Sequence, residues 1–65
     1  MANIKELVEG FFPDVLVDIK RENGKTIKFG RAETLLLMDA ISDKWELVDI
    51  YPSGYGRAVI VVKEN

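Results

Sequence analysis

The segment that most restricts how this chain can fold is RAVIVVK, residues 57–63. Ala58, Val59, Ile60, Val61 and Val62 follow one another without a polar break, and four of the five are β-branched. A short run of this kind reads as a β-strand. Successive side chains of a strand point to opposite faces, so Ala58, Ile60 and Val62 occupy one side and Val59 and Val61 the other. An antiparallel sheet packed on a helix ordinarily buries one face and wets the other. Both sides of this strand therefore ask for cover.

The rest of the chain supplies the elements. Asn3 can accept a hydrogen bond from the Glu6 amide while the Glu6 carboxylate reaches back, and Ile4, Leu7, Val8 and Phe11 share one helical face. This predicts a short helix over residues 4–10, with Gly10 ending it in a left-handed conformation and Phe12-Pro13 extending the chain. Residues 14–21, DVLVDIKR, alternate as a half-buried strand with Val15, Val17 and Ile19 on one face. Asn23-Gly24 suits a type I′ turn, so KTIKF should return antiparallel with Ile27 and Phe29 inward.

From Gly30 the period becomes helical, with Gly30 as N-cap, Glu33 in the first turn and an apolar stripe continuing to Ile41. After the polar Ser42-Asp43-Lys44, residues 45–51 form a strand with Trp45 and Leu47 on one side and Val48 and Ile50 on the other. Pro52-Ser53-Gly54-Tyr55-Gly56 reverses it into the last strand. The expected fold is a single α+β domain spanning residues 1–65. Its mainly antiparallel four-stranded sheet packs on one main helix, with a short N-terminal helix, in the order α-β-β-α-β-β.

A chain of 65 residues removes only about 60% of its unfolded surface from water, so its margin of stability is thin. It has no cysteine and no histidine, hence neither disulfides nor the commonest zinc ligands, and no metal or cofactor is expected. Three covers compete for the second face of the last strand: the N-terminal helix folded under the sheet, a second subunit, or a client protein. The helix ranks first, with or without self-association. Dimerisation through that face or through the last strand's edge ranks next, because twofold pairing is the commonest way for a small chain to hide such a surface.

Trp45-Glu46-Leu47-Val48 follows a helix rich in small and apolar residues and precedes a loop and an apolar strand with a basic end. In this the C-terminal half, roughly residues 31–63, resembles a family of small uncharacterised bacterial and phage domains that carry a Gly-Trp-Glu-Leu-Val strand after their helix. Lys44 stands where that family usually has glycine, and the N-terminal helix and first hairpin are further departures. The resemblance implies an α+β fold and no activity.

The residues point away from catalysis. Asp14, Asp18, Glu33, Asp39, Asp43, Glu46 and Asp49 are scattered, and no spacing sets two of them at a working separation. The glycines of SGYG lack the Gly-Lys-Ser/Thr and helix start of a phosphate loop. The net charge is −2, but Lys20, Arg21, Lys25, Lys28 and Arg31 face only Glu22 between residues 20 and 31, so that segment carries +4 and the remainder −6. Such a ribbon can grip phosphates or an acidic partner, or simply be a solvated hairpin whose lysines guard an edge. Trp45 is expected in the core. Tyr55, between glycines at a hairpin tip, is the aromatic that packing does not account for. With Arg57, Val59 and Val61 it forms the candidate protein-binding set.

The sequence thus reads as a small non-enzymatic protein-binding module that forms a homodimer, an accessory or inhibitory factor of bacterial or phage type acting on an unidentified protein. The alternative is a nucleic-acid-contacting module using hairpin 20–31. The interrupted apolar pattern of MANIKELVEG is neither a signal peptide nor a membrane span, which makes the cytoplasm the expected location.

Overall fold

The computed structural model describes residues 3–64. Its elements are α1 (Ile4–Glu9), β1 (Leu16–Arg21), β2 (Thr26–Arg31), α2 (Ala32–Leu37), β3 (Trp45–Pro52) and β4 (Arg57–Glu64). The strands form one sheet in the order β2-β1-β4-β3, with β1 and β4 parallel and the two hairpin pairs antiparallel. The α+β order and the four-stranded, mostly antiparallel sheet agree with the sequence reading. The parallel centre has no counterpart in it.

That centre accounts for the unbroken apolar run. The valine-rich strand has a neighbour on each side, so it has no free edge, and a dimer through the edge of the last strand is ruled out in this fold. Val17, Ile19, Ile60 and Val62 meet Ile4 and Val8 of α1, Ala32 and Leu35 of α2, Ile41 and Trp45 in one core. Both helices therefore lie on the same side of the sheet. The expectation that α1 folds beneath the other face is corrected: α1 packs on α2 and against β3, because its buried residues Ile4 and Val8 join the Ile60–Val62 side of the strand. On the opposite side Val59 is still only 5% exposed. Its row neighbours, Asp18 on β1 and Tyr51 on β3, flank it within the sheet.

Two bulges change which residues face the core. In β2 the pairing passes from Ile19↔Lys28 to Lys20↔Thr26, leaving Ile27 as an extra residue. Ile27 packs against the core as expected, but the extra residue inverts the phase beyond it. Phe29, expected inward, instead pairs with Asp18 on the open face and is 55% exposed. In β3 the shift between Leu47 and Asp49 makes Val48 the extra residue, so Leu47 and Ile50 come to one side, opposite Val62 and Ile60. A slip of one residue is enough to do this, because the side-chain period of a strand is two.

The turns and helix ends also depart from expectation. In the first hairpin only Gly24 takes positive φ, 87°, and its N–H bonds the Arg21 carbonyl at 2.9 Å. This is a three-residue loop with a glycine bulge, and the expected type I′ turn, which needs positive φ at Asn23 too, is absent. Gly10 ends α1 in the right-handed region (φ −78°), and Phe11 N–H continues to the Val8 carbonyl at 3.0 Å.

The second helix is only six residues long, and Gly30 belongs to β2. The first α2 amides are satisfied by the preceding loop, with Ala32 N–H on the Val15 carbonyl (2.8 Å) and Glu33 N–H on that of Pro13 (3.1 Å). It stops at Met38 because Asp39 turns left-handed at φ 50°. Ala40 N–H then bonds the Leu35 carbonyl (3.0 Å) and Asp39 N–H that of Leu36 (3.2 Å), the double closure of a Schellman motif. Ala40 and Leu35, the residues whose apolar contact completes that motif, both pack in the core. Ile41, expected on the helix, enters the core from the loop beyond.

Ile4→Ala should cost about 2–5 kcal/mol, a large part of the stability of a domain this size, in urea denaturation. Asp39→Gly should raise stability by up to about 1 kcal/mol, read as a higher melting temperature, because glycine accepts the left-handed position without strain.

Candidate interaction surfaces

With both helices on one side, the other side of the sheet is covered by no element of the core. Register assigns its residues in rows across β2, β1, β4 and β3: Arg31, Leu16 and Arg57; then Phe29, Asp18, Val59 and Tyr51; then Thr26, Lys20, Val61 and Asp49; then Lys63 and Glu46. The central row ends in an aromatic residue on each side. Between them Asp18 accepts a hydrogen bond from Thr26 Oγ1 (3.2 Å) and lies 3.8 Å from Lys20 Nζ. Lys20, Arg31 and Asp18 stand on the β1–β2 half of this face, and Arg57, Lys63, Asp49 and Glu46 on the β4–β3 half, where Lys63 Nζ lies 3.6 Å from Glu46 Oε2. The face thus carries Leu16, Val59 and Val61 among charged residues on its two central strands, an aromatic residue at each flank, and both signs of charge on each half.

Of the residues singled out from sequence, Arg57 and Val61 lie on this face, exposed and half-buried respectively. Val59 shares it but has almost no free area. Tyr55 projects from the β3–β4 tip, fully exposed between Gly54 (φ 93°) and Gly56 (φ 66°). Phe29, Tyr51 and Leu16 complete the face; the strand alternation already puts Leu16 opposite Val17 and Ile19, whereas Phe29 and Tyr51 escaped sequence reasoning. The bulge that turns Phe29 outward leaves no mark in composition or periodicity. Tyr51 gains its place only from the register with β4.

The helix side has its own uncovered strip. Each helix is six residues long and the layer covers little of β3, where only Trp45 is buried. Leu47 and Ile50 remain exposed there. Together with bulged Val48 and with Tyr51 on the other face, they make this edge strand apolar on both sides.

The basic hairpin does not form one cationic stripe. Lys20 and Arg31 belong to the open face, whereas Lys28 pairs with Ile19 and Arg21 with Val62 on the helix side. Arg21 Nη2 donates to Glu64 Oε1 at 2.9 Å, and Arg31 Nη1 lies 4.0 Å from Glu33. Lys25 stands at the turn, beside a shallow groove of about 220 Å³ lined by Arg21, Lys25, Thr26 and Ile27. A second groove of about 340 Å³ runs past Arg21, Glu22, Asn23, Val62, Lys63 and Glu64, where the Arg21–Glu64 pair joins β1 to the end of β4. Neither brings a nucleophile to an acid–base partner. Among the described residues no three acidic side chains converge as a metal site would require, and no helix is long and apolar enough to cross a membrane.

No family model, no curated protein and no solved structure matches this chain.

The Arg21–Glu64 pair is half-exposed on both sides. A double-mutant cycle on the two residues should give a coupling of about 0.2–1 kcal/mol that fades as salt is raised.

Proposed function

We propose that this chain is a small non-enzymatic module that works by binding protein, first of all a second copy of itself, and serves as an accessory or inhibitory factor. The observation that carries this reading is the open sheet face with Phe29 and Tyr51 at the two ends of one row. A twofold axis running along the strands between two such faces lays the β2 side of one copy over the β3 side of the other. It thereby sets Phe29 against Tyr51 of the second copy. The aromatic pairing is self-complementary, as an isologous contact demands. Tyr55 and Arg57 lie at the end of the face, where a further partner would meet an aromatic ring and a fork-shaped donor.

A nucleic-acid role for residues 20–31 draws less support, since four of the five basic residues divide between two faces, Lys25 stands at the turn, and three of the five stand beside carboxylates. Kinship with the Gly-Trp-Glu-Leu-Val family is likewise a proposal. It rests on Trp45-Glu46-Leu47-Val48 opening β3 after the helix and on the apolar β4 that follows.

Sedimentation at micromolar concentration should show a dimer. Phe29→Ser and Tyr51→Ser should each weaken it about tenfold or more while leaving the circular dichroism spectrum intact, because neither side chain is in the core. A strictly monomeric protein, or dimers indifferent to both substitutions, refutes the face. Tight binding to DNA or RNA that weakens steeply with salt would instead favour the basic hairpin.

A further inference from the structure

β3 is the exposed edge most in need of protection. It is eight residues long and apolar on both sides, and one flank has no strand beside it. Such an edge is a template for another chain, unless its backbone groups are withheld.

The backbone shows how they are withheld. Ser53 N–H bonds the Arg57 carbonyl at 3.2 Å, which sets the phase of the β3–β4 pair. In an antiparallel pair the hydrogen-bonding direction alternates from residue to residue, and register runs unbroken from Pro52↔Ala58 to Asp49↔Val61. Tyr51 and Asp49 therefore turn their backbone groups towards β4, while Ile50 and Pro52 turn theirs to the free edge. Pro52 has no N–H to offer. The Ile50 N–H is already taken: it donates to Asp49 Oδ1 at 2.8 Å. Next along the strand comes the bulge at Val48, which breaks the regular spacing an incoming strand would need.

We infer that the Ile50–Pro52 half of the β3 edge is closed to strand addition, and that Asp49 is its removable latch. The carboxylate occupies the one donor in this half of the edge and presents an acceptor where an arriving strand would bring a carbonyl. Contacts with other chains are thereby directed to the faces of the sheet and away from its edge. The inference holds whether or not the open face dimerises.

Asp49→Ala and Asp49→Asn separate the latch from the charge, because asparagine keeps the acceptor. In sedimentation the alanine variant should self-associate at least about tenfold more tightly than the parent chain, since a twofold edge contact engages both released Ile50 donors at once. Its Ile50 amide should exchange faster than the parent's in dilute solution and more slowly at high concentration. The asparagine variant should match the parent in both. Pro52→Thr, which restores a second donor without touching Asp49, should also raise association and offers a second route should the alanine variant fold poorly. Equal behaviour of the alanine and asparagine variants would assign the effect to charge and overturn the latch. So would unchanged association in both the alanine and the Pro52→Thr variants.

Discussion

The parallel pairing of β1 with β4 is the contact on which the rest of the molecule depends. It puts the two most apolar strands side by side in the middle of the sheet, where each has a neighbour on both flanks. Ile19 and Ile60 meet across that pair, both wholly buried, and the two helices close over them. In a chain of this length there is one such layer to build, and it is built on one side. Val59 on the other side is hidden by its companions in the sheet, which is why β4 can be apolar throughout without a second layer beneath it.

The surfaces follow from what that core leaves over. Two helices of six residues each cannot roof four strands, so β3 stays bare on the helix side except at Trp45. Among the described residues nothing roofs the opposite face, and its exposed apolar area sits at Phe29 and Tyr51 on the outer strands. An interface there would bury aromatic rings at the flanks while the Asp18–Thr26–Lys20 cluster keeps its own hydrogen bonding. This is a face suited to association between folded partners, and the guarded β3 edge suits it too, since edge pairing would compete with face-to-face contact.

Much of the fold is legible in the sequence. The helix cap at Asn3, the strand alternation of Val17 and Ile19, the core place of Trp45 and the element order all follow from local pattern, because each depends on residues near in sequence. Phases and lengths are not legible in this way. One unpaired residue in β2 turns Phe29 outward, and one in β3 brings Ile50 to the side of Leu47. The helical pattern from Leu35 to Ile41 is cut at Asp39, where closure onto Leu35 and Leu36 costs one strained residue but lets Ala40 and Ile41 pack inward. Bulges and helix stops of this kind are chosen by the fit of distant strands, so periodicity cannot announce them. The candidate face depends on those same bulges and registers, and so Arg57 and Val61 could be named from sequence while Phe29 and Tyr51 could not.

By itself the sequence determined that this is an α+β domain without thiol or imidazole chemistry, and that its valine-rich end is a strand with an apolar side for the core. Those properties reside in residue types and short-range periods. Only the tertiary structure decided that β4 is enclosed by strands, that α1 joins the same layer as α2, and that aromatic residues flank the bare face. The physical reason is that strand order and register are settled by which apolar faces can be buried together, a choice made across the whole chain at once.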